Sequence, residues 1–262
     1  MKMTLKNIII LFICCMCSSS VLAQKNSTQK LINAALRGWE YDVRAGISIG
    51  GSAPLPLPAE IRSLDSYNPT LAIMLEGNAI KWMGKNKKWG LVAGIRFENK
   101  NMTTKATTKN YKMEIIGDDG NRMKGNWTGG VKTKVRNSYV TIPLSAAYKL
   151  TKRWNIKFGP YFSYLMDGEF SGEVYEGYLR EGNPTGDKIN FRDGAIATYD
   201  FSDELRKFQW GVQVGADWKA FSHLKVFTDL TWGLNDIFQK DFETVTFSMY
   251  PIYLNVGFAY AF

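Results

Sequence analysis

The sequence predicts an all-β chain: a closed antiparallel up-and-down transmembrane β-barrel of about eight strands, with short turns at one rim and long loops at the other. Three observations predict it. Apolar and polar residues alternate with period two in a series of segments from Trp39 to Phe262. Beyond the N-terminal leader no apolar run reaches the roughly 18 residues that a spanning helix needs. The connections between the alternating segments are short and long in turn. A membrane chain without spanning helices must close its sheet, because lipid offers no partner to a free backbone edge.

The leader comes first. Lys2 and Lys6 form a positive start, Ile8 to Cys17 is an almost unbroken apolar stretch, and Val21-Leu22-Ala23 supplies the small or β-branched residues of a cleavage site before Gln24. The apolar core falls short of the roughly 17–25 residues of a membrane helix. The segment therefore reads as an export signal, and the chain as residues 1–23 (cleaved signal peptide), 24–38 (a periplasmic lead with a helical turn or two near Lys30–Leu36) and 39–262 (the barrel). Cys14 follows Ile13 and Cys17 follows Met16, which does not suit a lipoprotein. Cys14, Cys15 and Cys17 are the only cysteines. The exported chain is expected to lack disulfides, cysteine-held metals and a cysteine nucleophile. Loss of Lys2 and Lys6 lowers the formal net charge from +9 to +7. For an exported protein that basic balance points to an anionic membrane surface, not to nucleic acid. The 14% aromatic residues and 24 glycines favour strands joined by tight turns.

The first strand sets Trp39, Tyr41, Val43, Ala45, Ile47 and Ile49 against Glu40, Asp42, Arg44, Gly46, Ser48 and Gly50. One face is apolar and suits lipid; the other is charged or tiny and suits a lumen. Six more strands are expected at about 70–82, 89–101, 138–150, 155–166, 208–219 and 224–234. Their outward residues include Leu71, Ile73, Leu75, Trp89, Leu91, Ile142, Leu144, Phe158, Trp210, Val214, Leu230 and Trp232. The last strand alternates Ile252, Leu254, Val256, Phe258, Tyr260 and Phe262 with small or polar residues. Phe258, Tyr260 and the terminal Phe262 are the candidate insertion signal, read by the barrel-assembly machinery.

Gly84–Lys88, Thr151–Trp154 and Ala220–His223 are the short connections. Ser52–Pro69, Met102–Asn137, Asp167–Lys207 and Asn235–Met249 are the long ones, expected outside the cell. Gly50-Gly51 reads as a strand end and Gly129-Gly130 as a hairpin loop. The arms Thr103–Ile116 and Arg122–Val135 read as a hairpin carrying the sheet beyond the membrane. Segment 99–137 holds nine Lys and Arg against three acids, and 167–207 five against ten. The two loops are expected to pair and cap the barrel, or the basic one to meet lipopolysaccharide phosphates and Tyr175, Tyr178 and Tyr199 to stack on a carbohydrate or protein. Pro54, Pro56 and Pro58 stiffen the first loop.

Several motifs resemble the PorT-like outer-membrane barrels of Bacteroidetes. They are Pro56-Leu57-Pro58-Ala59-Glu60-Ile61-Arg62, Tyr139-Val140-Thr141-Ile142-Pro143-Leu144, Gly159-Pro160-Tyr161, Trp232-Gly233-Leu234-Asn235-Asp236-Ile237 and the terminal Phe262. Each is short; their order along the chain carries the resemblance. It implies an eight-stranded outer-membrane barrel and no single activity, although the founding member takes part in protein secretion.

Alternation places Glu40, Asp42, Glu76, Glu98, Asp217 and Asp229 in the lumen against Arg44, Arg96, Lys149, Lys157, Lys219 and Lys225. Eight strands leave an interior about filled by side chains, so interlocked ion pairs and a plugged lumen are expected. The sharper reading is a narrow polar pore for small solutes, constricted at mid-membrane by Arg44, Glu76, Arg96 and Asp229. An enzyme is not expected, nor any cofactor or metal. The single histidine, His223, falls in a periplasmic turn, away from an outer-leaflet lipid substrate. No nucleophile, phosphate-binding or zinc motif stands out. The sequence thus predicts a non-enzymatic outer-membrane protein with a structural or docking role, in contact with outer-membrane lipid and envelope proteins. A small-solute pore and a lipid-modifying enzyme are the alternatives.

Overall fold

A computed structural model describes residues 38–117, 120–242 and 244–262. The expected signal peptide and most of the periplasmic lead lie outside these residues. Ten strands form one antiparallel sheet: β1 (Trp39–Pro54), β2 (Ile61–Asn68), β3 (Ile73–Met83), β4 (Trp89–Ile116), β5 (Arg122–Lys149), β6 (Trp154–Glu181), β7 (Lys188–Asp200), β8 (Phe208–Lys219), β9 (Leu224–Gly233) and β10 (Met249–Ala261). Eight of them close a ring in the order β1-β3-β4-β5-β6-β8-β9-β10. Pairing of the first strand with the last, from Asp42 with Ala261 to Pro54 with Met249, completes the closure. Among the described residues no helix is long and apolar enough to cross a membrane.

The outward face is apolar where the ring is complete. Leu75, Leu91, Ile95, Phe158, Val214 and Phe258 are all exposed on it. Aromatic residues mark both edges of this band. Trp89 packs on Tyr148 and Trp154 lies beside Trp218 near the short turns, while Phe162 stacks on Phe208 at the other edge. The inward face of the same strands is mostly polar, as the alternation demands, with two small apolar clusters, Ile80, Trp82, Val92 and Ala147, and Met74, Phe227 and Ala259.

β4, β5 and β6 each run 28 residues. At about 3.3 Å per residue that is roughly 90 Å of strand, whereas a tilted transmembrane strand needs only about 9–11 residues. More than half of each strand therefore rises beyond the lipid band. There β2 adds to β4 through Ile61–Asn68, and β7 adds to β6 and touches the tip of β4 at Ile116.

This extension corrects three expectations. The long segment Asp167–Lys207 is not a loop: β6 continues through it and returns as β7. Gly129-Gly130 lies inside β5 and Gly50-Gly51 inside β1. The extended strands escape simple alternation because bulges shift their phase. In β6 the buried set is odd-numbered to Leu165, even-numbered at Phe170 and Val174, and odd again at Leu179. In β4 it changes from Met102 and Thr108 to Met113 and Ile115 across the bulge between Thr108 and Tyr111. One extra residue turns every later side chain to the other face.

Candidate functional site: a charge-locked lumen under an apolar stopper

Arg44 (β1), Glu76 (β3), Arg96 (β4) and Asp229 (β9) are all buried and stand together. Arg44 lies 3.5 Å from Glu76 and 3.5 Å from Asp229, and Arg96 pairs with Glu76 and lies 3.8 Å from Asp229. Acid and base alternate around a closed cycle of four. The alternation placed these residues at one level, and the structure joins them.

The cycle is part of a larger network. Arg44 donates a pair of hydrogen bonds to Asp217, at 3.1 and 3.0 Å, and its Nε donates to Asp42 at 3.0 Å. Lys225 donates to Asp42 at 3.0 Å, and Lys157 bridges Asp217 (3.3 Å) and Asp229 (2.9 Å). Arg96 also lies 3.8 Å from Glu98, which accepts from Thr141 at 2.7 Å. Buried charges persist only when paired and hydrogen-bonded, and here each guanidinium faces several carboxylates. Gly215 makes room for this packing: a Cβ there would meet Asp229 Oδ1 at 1.8 Å.

Glu40, Lys149 and Lys219 were also expected inside, but they sit at the short-turn rim, exposed or half-buried. Lys100, at the end of the expected strand 89–101 and counted among the charges of segment 99–137, is a further buried member. It lies 3.2 Å from Glu98, with its ammonium 5.1, 5.2 and 5.6 Å from the ring centres of Tyr139, Tyr161 and Tyr253. These four residues form the upper boundary of the charged zone. The signal for Lys100 was its parity with Arg96 and Glu98 on β4.

Above the tyrosines the interior becomes apolar. Met102, Trp127, Val131, Val135, Phe170 and Val174 belong to one buried cluster. Phe170 packs edge-on against Phe238, with centres 4.9 Å apart, and Phe242 lies 4.9 Å from Phe238 and 5.1 Å from Phe201. Phe238 and Phe242 come from the β9–β10 connection. Backbone bonds from Arg206 to Ile237 and from Ile237 to Met249 fix this connection across the mouth. The shortest of the four long loops expected, Asn235–Met249, is therefore a stopper at the extension end of the lumen.

Phe258, Tyr260 and Phe262 are all exposed on the outward face of the closing strand, and Tyr260 meets Phe262 edge-on at 5.2 Å. His223 lies in a short turn, as expected, where its Nδ1 donates to the Ala261 carbonyl at 2.8 Å. Among the described residues no group of His, Cys, Asp and Glu is arranged to hold a metal ion.

Residues 22–239 match the family described as "Outer membrane protein beta-barrel domain". Among curated proteins none matches the chain. Similar solved structures include the attachment invasion locus protein Ail of Yersinia pestis (7% identity, TM-score 0.37) and Neisserial surface protein A, NspA (9%, 0.29). The outer membrane protease OmpT of Escherichia coli is also similar (14%, 0.30). Each alignment covers 86% of this chain and 97% of the other. The presence of a protease among these barrels overturns the expectation that the chain is not an enzyme.

Proposed function

The chain belongs to the outer membrane protein β-barrel domain family and resides in the outer membrane, and from that premise we propose that it is a sealed anchor whose β-extension docks an envelope partner at the cell surface. One observation carries this reading: an aromatic stopper closes the lumen above an interlocked set of buried charges. Paired side chains filling one level of the lumen and apolar ones the next support a barrel closed to solutes. The 28-residue strands then serve to raise a surface above the membrane. The PorT-like order of motifs supports a partner in a protein-secretion machine.

Export would remove residues 1–23, and the barrel-assembly machinery would read Phe258, Tyr260 and Phe262. The outward aromatic and apolar band would meet lipid, and the exposed cations of the extension lipopolysaccharide.

Conductance across a planar bilayer tests the seal. The purified barrel is expected to give no discrete channel steps. Steps whose ion selectivity changes when Arg44 and Asp229 are exchanged would show a pore and overturn the proposal.

A further inference from the structure

The wall of the extension carries a row of charges in which one level differs from its neighbours. Below it, Lys134 pairs with Glu169 at 2.8 Å and Lys132 with Glu173 at 2.9 Å. Above it, Arg122 and Lys124 both pair with Glu114, at 3.3 and 3.1 Å. Between them lie Arg62, Lys109 and Arg180, and among the described residues none of the three forms an ion pair. They line one cleft of about 330 Å³ that has no carboxylate in its lining.

The backbone at this level is irregular in four adjacent strands. The register shifts at Arg62 in β2, at Lys109–Asn110 in β4, beside Gly129 in β5 and at Glu176 in β6. Asn110 (φ 59°) and Glu176 (φ 48°) adopt the left-handed conformation that few side chains tolerate. A single bulge re-aims one side chain. A belt of bulges opens a concavity in an otherwise continuous wall and turns three cations toward it.

The lining chemistry is specific. Arg180 is held by a hydrogen bond from its Nη1 to the Gly186 carbonyl at 3.0 Å. Asn126 and Thr128 add amide and hydroxyl groups, and Tyr178 forms an aromatic wall, with the Lys188 ammonium 4.1 Å from its ring centre. The volume lies at the small end of the roughly 300–1,000 Å³ of small-molecule sites. Guanidinium groups favour phosphate and sulfate oxygens, while amides, hydroxyls and an aromatic wall suit a sugar ring.

We propose that this bulge-lined cleft binds one phosphorylated or sulfated sugar unit of a surface glycan. The proposal deepens the docking reading by naming what the extension recognises. Its test is independent of the seal, because it measures binding by the detergent-purified protein.

Calorimetric titration with glucose 6-phosphate, glucose and inorganic phosphate tests it. Saturable binding of glucose 6-phosphate is expected, about ten-fold tighter than inorganic phosphate, with glucose silent. The Arg62→Gln/Lys109→Gln double variant changes two exposed side chains and is expected to keep its heat-dependent gel mobility. It should weaken glucose 6-phosphate binding about ten-fold or more. Equal binding of inorganic phosphate, binding of neutral glucose at the same strength, no saturable binding, or an unaffected double variant would each overturn the proposal.

Discussion

The lumen and the extension share three strands, β4, β5 and β6, and the same inward side, yet they are filled in opposite ways. On β4 the lumen receives Arg96, Glu98 and Lys100, and the extension receives Met113 and Ile115. On the outward face Leu91 and Ile95 give way to Lys105, Thr107 and Lys112, all exposed. The solvent outside explains the inversion. In the lipid band the apolar residues face the bilayer, and the interior is free to be polar provided that every charge is paired. Beyond that band water covers the outward face, so the inward face alone can bury apolar area. The lumen is therefore centred on a charge network and the extension on a hydrophobic core.

The sharpest way to break this comparison is to remove Arg44, which faces Asp42, Glu76, Asp217 and Asp229. Arg44→Met leaves buried carboxylates without their cation. It is expected to destabilise the barrel by about 3–5 kcal/mol, read as a lower urea midpoint of tryptophan fluorescence in detergent. A loss below about 1 kcal/mol would mean that the network is not what holds the lower lumen.

Leu179 is fully buried in the extension core. Leu179→Ala should cost about 2–5 kcal/mol through the cavity it leaves. That cost should fall on the extension alone: a protease cuts β5–β7, while the barrel still shifts its gel mobility on boiling. Loss of the shift as well would show that the two regions unfold as one unit.

The two regions also differ in how legible they are. The barrel strands follow strict alternation, because one face always meets lipid, so their spans and the meeting of Arg44, Glu76, Arg96 and Asp229 can be read directly. The extension cannot. Its inward residues change parity at the bulges of β4 and β6, and Glu176-Gly177 and Gly129-Gly130 carry the usual vocabulary of turns. Lys100 sits at the boundary, on a strand that continues where a loop was expected. The stopper was hidden for a different reason: Phe238 and Phe242 belong to an irregular connection whose inward path has no period.

The smallest expected effect lies on the wetted wall. Lys134 Nζ donates to Glu169 at 2.8 Å, and both side chains are 36% exposed. The hydrogen bond from Lys134 holds the Glu169 carboxyl below its usual range. A carboxylate whose folded value is depressed stabilises fully above its unfolded value, near 4.3, and loses that contribution as pH falls through the lower folded value. Screening limits an exposed pair of this kind to about 1 kcal/mol or less. Lys134→Met should therefore lower the stability of the extension slightly at pH 7, and the deficit should shrink as the pH drops below about 4. Groups that the substitution leaves untouched cancel in the difference. A deficit that stays constant down to acid pH would assign the effect of Lys134 to the packing of its alkyl stem, and the wall would then resemble the extension core more than the charged lumen.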